Sequence, residues 1–489
     1  MCLGSNDHPD GPCLVPPHPM LRAHLAEDRL KGQPQQALGQ IVLSGPTGTF
    51  HGLNDGTIFP RSQFQQIPVP SLARMRRAAL ERTPLRGPIR VAIVLVDFSD
   101  KPMTMSKQHF EELFFSKGKI PTGSVTEYYE DVSGGKVELT GEVVGPFRMP
   151  LKLAQYAHGA SGLTEAEPNL QDLAAHALAS ADGSIDLTPY DNDHNGVVDA
   201  FIVVHAGKGA EEIPDRVERA SNIWSAKWIL RNNTQADGTR VFGFLTVPEF
   251  AKIGVCAHEL GHLLFGWPDL YDIDQDGDEE NIGVRSAGVG DWCLMSGGSW
   301  GHLEGNEAGT TPCHPSAWCK ANQGWINLIP DQQNRSIALK DVKKEPREVH
   351  RLWTNGNIVS QEYFLIENRQ LDGFDRSLPG QGLLIWHIDD AKETNRDENH
   401  YKVGLVQSDN RRNLEAAENG AAGNRGDAGD PYPGTSNNSS FGAFTNPNSR
   451  TYRGRDSFVS IRNISAPSQT MTMDIAVRAG LPPTQASKL

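Results

Sequence analysis

A chain of 489 residues exceeds what one small core needs, so two or three structural units are expected. Its 38% hydrophobic and 22% charged residues are an ordinary globular balance, and no apolar run is long enough to span a bilayer. Acidic residues outnumber basic ones, 60 against 46, and the net charge of −14 argues against nucleic acid and anionic membrane surfaces as partners.

Residues 1–86 read as an N-terminal extension, prosegment-like, rich in Pro, Gln, Arg and Gly. A helix is expected over Met20–Lys31 and a basic amphipathic piece over Ser71–Leu80. Met1–Asp10 lacks a basic start followed by an apolar core, so no secretory signal is visible there. At Ile89 the texture changes: Ile89–Asp97 is a β-branched run with the character of a buried strand. A helix follows over Lys107–Phe115, and another opens at Ser124, which can cap it while Glu127 completes a capping box. Lys136–Val144 alternates as a strand, Asn169–Ser180 is helical, and Ala200–Val204 and Val241–Val247 are strands. Phe250–Phe265 is a helix. This mixture makes residues 87–330 one α/β or α+β unit, with α+β preferred. Beyond it, short β-type runs (Ser336–Leu339, Tyr363–Glu367, Gly382–Ile388, Lys402–Gln407, Ser457–Asn463, Thr470–Val477) alternate with Gly, Asn, Asp and Pro. Residues 331–489 therefore read as a C-terminal antiparallel β-sandwich, with Asn419–Ser440 as a long surface loop.

The last helix of the central unit carries His258-Glu259-Leu260-Gly261-His262. Residues four apart share a helix face, so both imidazoles can hold one zinc ion, and Glu259 beside them can serve as general base to a metal-activated water. A third protein ligand is required. Gly266 and Pro268 end the helix and turn the chain back, which brings Asp269 forward as that ligand, with Asp272 as the alternative. Trp292–Gly298 resembles the Met-turn that runs beneath the metal in metzincins, with Met295 as its methionine. A thermolysin-like layout would instead take a glutamate from a later helix; Glu280 is the only candidate, and it stands in an Asp- and Gly-rich loop.

Two further stretches place oxygen ligands at alternate positions, as calcium loops do. One comprises Asp191, Asp193, Asn195 and Asp199 around Gly196; the other comprises Asp272, Asp274 and Asp276. Asp427 and Asp430 are a weaker third. Six cysteines permit disulfides without demanding them. Cys256 stands two residues before His258 and Cys293 two before Met295, so a Met-turn under the zinc helix would bring them within bonding reach. Cys313 and Cys319 are a second possible pair. Cys2 and Cys13 lie in the N-terminal extension, where a thiolate could close the open zinc position, and Arg74–Arg77 offers a processing site. His314 and His387 have no helix-spaced partner and are expected to be structural.

These motifs together resemble the immune inhibitor A group of secreted zinc metallopeptidases. The resemblance rests on Val96–Pro102, Pro121–Tyr129, Ile223–Trp228, His258–His262, Pro268–Asp272, Leu294–Trp300 and Ser316–Trp325, and extends through Gly382–Asp389 and Gly426–Gly434. It implies a metzincin-like fold (a twisted sheet plus the active-site helix), a catalytic zinc, structural calcium, and extracellular proteolysis of protein or peptide substrates by a chain assumed monomeric. The family pattern places Gly three residues after the second His and the acidic ligand six after it. Here Phe265 holds the Gly position and Asp269 is seven away, a difference that a slightly longer helix would absorb. A non-catalytic relative using the β-sandwich for binding, and a zinc amidase acting on cell-wall peptides, are the competing readings; retention of Glu259 speaks against the first.

Overall fold

The computed structural model describes residues 12–22, 24, 84–164, 166–272, 286–392, 394–416 and 423–478. The expected helix over Met20–Lys31 lies largely outside them, as do the Ser71–Leu80 segment, Cys2, Asp274, Asp276 and Glu280.

The central unit is a six-stranded sheet. Strand β1 is Cys13–Leu14, β2 Gly87–Asp97, β3 Val137–Arg148, β4 Phe201–His205, β5 Ala226–Ala236 and β6 Thr239–Pro248, and their order across the sheet is β1-β5-β6-β4-β2-β3. The run from β6 through β4 and β2 to β3 is parallel; β5 lies antiparallel to β6, and β1 antiparallel to β5. The β-branched sequence of β2 is buried on both faces from Val91 to Asp97, as a central parallel strand requires.

Helices cover the sheet: α1 (Lys107–Phe115), α2 (Val125–Ser133), α3 (Leu153–Ala157), α4 (Leu170–Ala181), α5 (Arg216–Ala220) and α6 (Ile253–Phe265). The capping box at Ser124 and Glu127 is formed, and Gly134 ends α2 in the left-handed region at φ 68°. Every residue of α6 is buried, which its near-continuous apolar sequence allows. Tyr129 of α2 donates to the Ala257 carbonyl of α6, tying the two helices together.

A short helix α7 (Ala317–Asn322) leads into the C-terminal strands. These are β7 (Asn327–Pro330), β8 (Arg335–Lys340), β9 (Glu348–Leu352), β10 (Glu362–Arg369), β11 (Gly382–Asp389), β12 (Val403–Leu405), β13 (Ser460–Arg462) and β14 (Thr470–Ala476). They form a five-stranded sheet ordered β12-β11-β10-β9-β7 and a three-stranded sheet ordered β13-β14-β8. All pairings are antiparallel except β7 with β9, which run parallel. Among the described residues no helix is long and apolar enough to cross a membrane.

Two expectations need correction. The segment Asn419–Ser440 is not simply a surface loop: Asp430 and Tyr432 are buried, Tyr432 bridges to Leu383, and the Asp430 carboxylate accepts from Trp292 Nε1 at 3.0 Å. The apolar ring of Tyr432 is what draws the segment inward. The expected Cys256–Cys293 disulfide is absent, because both are free buried thiols, as are Cys313 and Cys319. Cys256 is two residues from His258, so about 200° of helix rotation separates their side chains, and Cys256 turns away from the metal face. Cys293 instead accepts from the Ser316 backbone N–H at 3.2 Å.

Candidate metal centre and substrate cleft

Helix α6 runs to Phe265, and Gly266 closes it at φ 65°, with its N–H bonded to the His262 carbonyl and the Trp267 N–H bonded to that of Gly261. The additional residue between His262 and Asp269 is thereby taken up within the helix, and the chain turns back at once. Asp269 Oδ1 stands 3.2 Å from His258 Nε2 and 3.2 Å from His262 Nε2, while the two Nε2 atoms are 3.0 Å apart. Asp269, rather than Asp272, supplies the carboxylate beside both rings.

The second partners of the imidazoles fix their tautomers. His258 Nδ1 lies 2.9 Å from the Leu294 carbonyl oxygen, and His262 Nδ1 lies 2.6 Å from that of Trp267. A carbonyl oxygen only accepts, so each ring carries its proton on Nδ1 and directs an Nε2 lone pair inward. Two lone pairs and a carboxylate then converge without a proton between them, an arrangement that repels itself unless a cation sits at its centre. Ligand atoms at about 2.0–2.1 Å from a tetrahedral zinc are about 3.3 Å from one another, close to the spacings found. The donor set therefore fits zinc. Burial opposes ionisation of Asp269, and a cation at the centre would favour its charged form. Burial also lowers the pKa of His262, as a ligand that must stay neutral requires.

The segment expected to be a Met-turn lies against α6. Leu294 and Met295 pass directly under α6: the Met295 carbonyl accepts from the Leu270 N–H at 2.8 Å, and a Cβ built on Gly261 would stand 2.7 Å from Met295 Sδ. The lack of a side chain at Gly261 leaves room for the thioether to come so close.

Glu259 is fully buried, and neither carboxylate oxygen has a hydrogen-bond partner among the described residues. Burial pushes its pKa well up, with Asp269 and Glu211 adding to the effect, while the backbone amides of Lys227 and Val15 pull the other way. Glu211 lies beneath the start of β5, where it accepts from Ser225 N at 3.0 Å and from the Ser225 hydroxyl; burial raises its carboxyl to about 7.

Strand β1 of the N-terminal extension lies along β5 and across these residues. Cys13 pairs with Lys227 and Leu14 with Ala226, and the Val15 N–H bonds to the Ser225 carbonyl at 3.3 Å. The Leu14 carbonyl oxygen is 3.2 Å from His258 Nε2 and accepts from the Tyr271 hydroxyl at 2.6 Å. Trp224 Nε1 donates to the Val15 carbonyl at 2.9 Å, and Trp300 Nε1 to that of Pro16 at 2.7 Å. A ligand atom of Cys13 lies within 4.8 Å of those of His262 and Asp269, but Cys13 is disulfide-bonded and so offers no thiolate. The extension thus approaches the centre with a carbonyl. A cavity of about 350 Å³ adjoins Leu14, walled by Leu163, Val217, Arg219 and Trp224, with space for a side chain.

Away from the centre, carboxylate oxygens of Asp191, Asp193 and Asp199 lie within 4.8 Å of one another. Asp191 also accepts from Asn195 N and Gly196 N at 2.9 and 2.8 Å, while Asn195 Oδ1 accepts from Val197 N, so the turn uses part of its own oxygen set. Of the second stretch, Asp272 is buried and the rest lies outside the described residues. Asp427 and Asp430 are joined by a hydrogen bond from the Asp427 backbone N–H to Asp430 Oδ2 at 2.9 Å. His314 and His387 are structural, bonded to Asp131 at 3.1 Å and Glu362 at 3.0 Å.

Sequence reasoning missed Tyr271, Trp224, Trp300 and the edge strand β5 as parts of the cleft. The tryptophans were visible only as landmarks, because their role appears once an extended chain is laid against them.

The site thus lies between a mostly parallel sheet and the buried helix that carries HExxH. Residues 90–326 match the immune inhibitor A peptidase M6 family, catalytic domain. The chain is 29% identical over 322 residues to the pre-pro-metalloprotease PrtV of Vibrio cholerae serotype O1, covering 55% of this chain and 33% of that protein. It is 31% identical over 306 residues to immune inhibitor A of Bacillus thuringiensis subsp. alesti, covering 51% of this chain and 43% of that one. The chain therefore spans less than half the length of these relatives.

Proposed function

We propose that the chain is a zinc-dependent endopeptidase that hydrolyses peptide bonds of proteins, with His258, His262 and Asp269 holding the ion and Glu259 as general base. The observation that carries this reading is the convergence of two imidazole lone pairs and a carboxylate beside a buried, unpartnered glutamate. Zinc bound there supplies a water of lowered pKa and polarises the carbonyl under attack. The chain's own groups do the rest. The Leu294 and Trp267 carbonyls hold the imidazoles in the ligating tautomer. Glu259 takes the proton from the attacking water and returns it to the departing amine. The edge of β5 receives the substrate as an added antiparallel strand, as it receives Cys13–Leu14.

In this reading the central unit is metzincin-like, with Met295 as its Met-turn residue, and the two C-terminal sheets form a β-sandwich from residue 331 onward. Asp191, Asp193 and Asp199 hold a structural calcium ion. The protein acts outside the cell as a monomer. A casein-cleavage assay on the parent and Glu259→Ala, with metal analysis of both, tests the central claim. Equal zinc in both and cleavage in the parent alone are expected; zinc without Glu259-dependent cleavage would reject it.

A further inference from the structure

The peptide bond between Leu14 and Val15 has its two ends in chemically distinct surroundings. Its carbonyl oxygen meets His258 Nε2 at 3.2 Å and the Tyr271 hydroxyl at 2.6 Å. Its N–H bonds to the Ser225 carbonyl at 3.3 Å and is, with that of Lys227, one of the two backbone amides that reach toward the Glu259 carboxylate. A bond about to be hydrolysed here needs the same two surroundings: metal ligands and a hydrogen-bond donor at the oxygen, and the base at the nitrogen it must protonate. The flanking contacts continue along the main chain, through Trp224 to the Val15 carbonyl and Trp300 to the Pro16 carbonyl.

We propose that Tyr271 is a catalytic residue whose hydroxyl donates to the carbonyl oxygen of the peptide bond being hydrolysed, and that Leu14–Val15 lies in the place of that bond. This rests on the reading of Glu259 as general base. As the water oxygen bonds to the carbonyl carbon, the π pair moves onto the carbonyl oxygen and a water proton passes to Glu259. Collapse re-forms the C=O bond, breaks C–N, and delivers the proton from Glu259 to the leaving nitrogen, giving an acid and an amine. The Tyr271 proton stays on its own oxygen throughout. Its hydrogen bond strengthens as the acceptor gains charge, so it favours the transition state over the bound substrate. The hydroxyl is held in place by the turn that presents Asp269, since Leu270 between them is pinned by bonds to Met295 and Val289.

The test uses the full chain loaded with zinc and two probes of equal length: a peptide, and its phosphinate analogue, which mimics the tetrahedral oxyanion. Tyr271→Phe should lose about 10²-fold in phosphinate affinity, and about 10²- to 10³-fold in kcat, with KM and peptide affinity changed only a few-fold. Trp224→Phe should weaken both probes alike, because it grips main chain in ground and transition states equally. The N-terminal segment competes with both probes to the same extent, so the affinity ratio is readable whether or not the chain turns over. Equal loss of both probes in Tyr271→Phe, or no loss of phosphinate affinity at unchanged zinc content, would overturn the assignment. Glu259→Gln should keep the ratio while abolishing turnover; if it turns over, the base has been misassigned while the ratio still judges Tyr271.

Discussion

A Cβ atom on Gly254 would stand 1.9 Å from the backbone carbonyl oxygen of Ser299. The first turn of α6 is thus pressed directly onto the chain that follows Met295, and the Gly254 N–H bonds to the Gly309 carbonyl at 2.9 Å on the same side. In an open helix Gly→Ala would gain about 1 kcal/mol. Here the overlap is with backbone, which cannot rotate away, and overpacking of this kind costs about 1–3 kcal/mol or more. Gly254→Ala should therefore be less stable in chemical denaturation and retain zinc poorly. A variant as stable as the parent would contradict the contact.

Asp269→Asn should lower zinc retention against a chelator by at least an order of magnitude, since the amide neither carries the charge nor matches the donor strength of a carboxylate. Asp272→Asn should retain the parent's zinc content. The reverse ranking, read by metal analysis after dialysis, would move the third ligand to Asp272.

A buried charge cluster joins the catalytic unit to the C-terminal strands. Arg369 of β10 donates to Asp375 and to Glu367 at 3.2 Å, and Lys320 of α7 lies 2.7 Å from Glu367. Burial alone would raise the Asp375 carboxyl; Arg369, His314 and Lys343 outweigh it and hold it well below the usual range. Asp375→Asn leaves Arg369 without its main partner and should cost about 3–5 kcal/mol in denaturation. Because the folded pKa is depressed, the stabilisation is whole above the unfolded value of about 4 and fades as pH falls below it toward the folded value. The parent's stability should fall more steeply than the variant's from about pH 5 to about pH 3; parallel curves would remove Asp375 from the acid response.

With Cys13–Pro16 lying along β5, the full chain should cleave added substrate slowly, and deletion of residues 1–22 should raise the rate. Unchanged kcat/KM after the deletion would exclude an inhibitory role for the segment.

Calcium should raise the Tm of the parent, and Asp193→Ala together with Asp199→Ala should abolish that shift. An equal shift in the double variant would place the ion elsewhere.

Much of the catalytic unit was legible because its signals are local. The capping box of Ser124 and Glu127, the β-branched run of β2 and the i, i+4 histidines each fix their own surroundings. The edge strand β5 was not legible: after Trp228–Leu230 it runs through Arg231-Asn-Asn-Thr-Gln, with no alternation to mark it. Strand β1 has two residues and owes its form entirely to its neighbour. The cysteine pairing failed because proximity in sequence to the metal ligands says nothing of the helix face, and Cys256 is on the wrong one. Tyr271 stands inside a motif read for its carboxylates, and its role emerges only from the carbonyl laid against it.

Strand β5 pairs with Cys13–Leu14 through main-chain groups. A cleft that holds its occupant by backbone amides and carbonyls tests first whether a chain can be drawn out straight, and only then which side chains it bears. A target in its own sheet or helix has those groups already engaged. It can enter only when a stretch of it comes loose, so the pace of attack on a folded protein would be set by the target's own local opening.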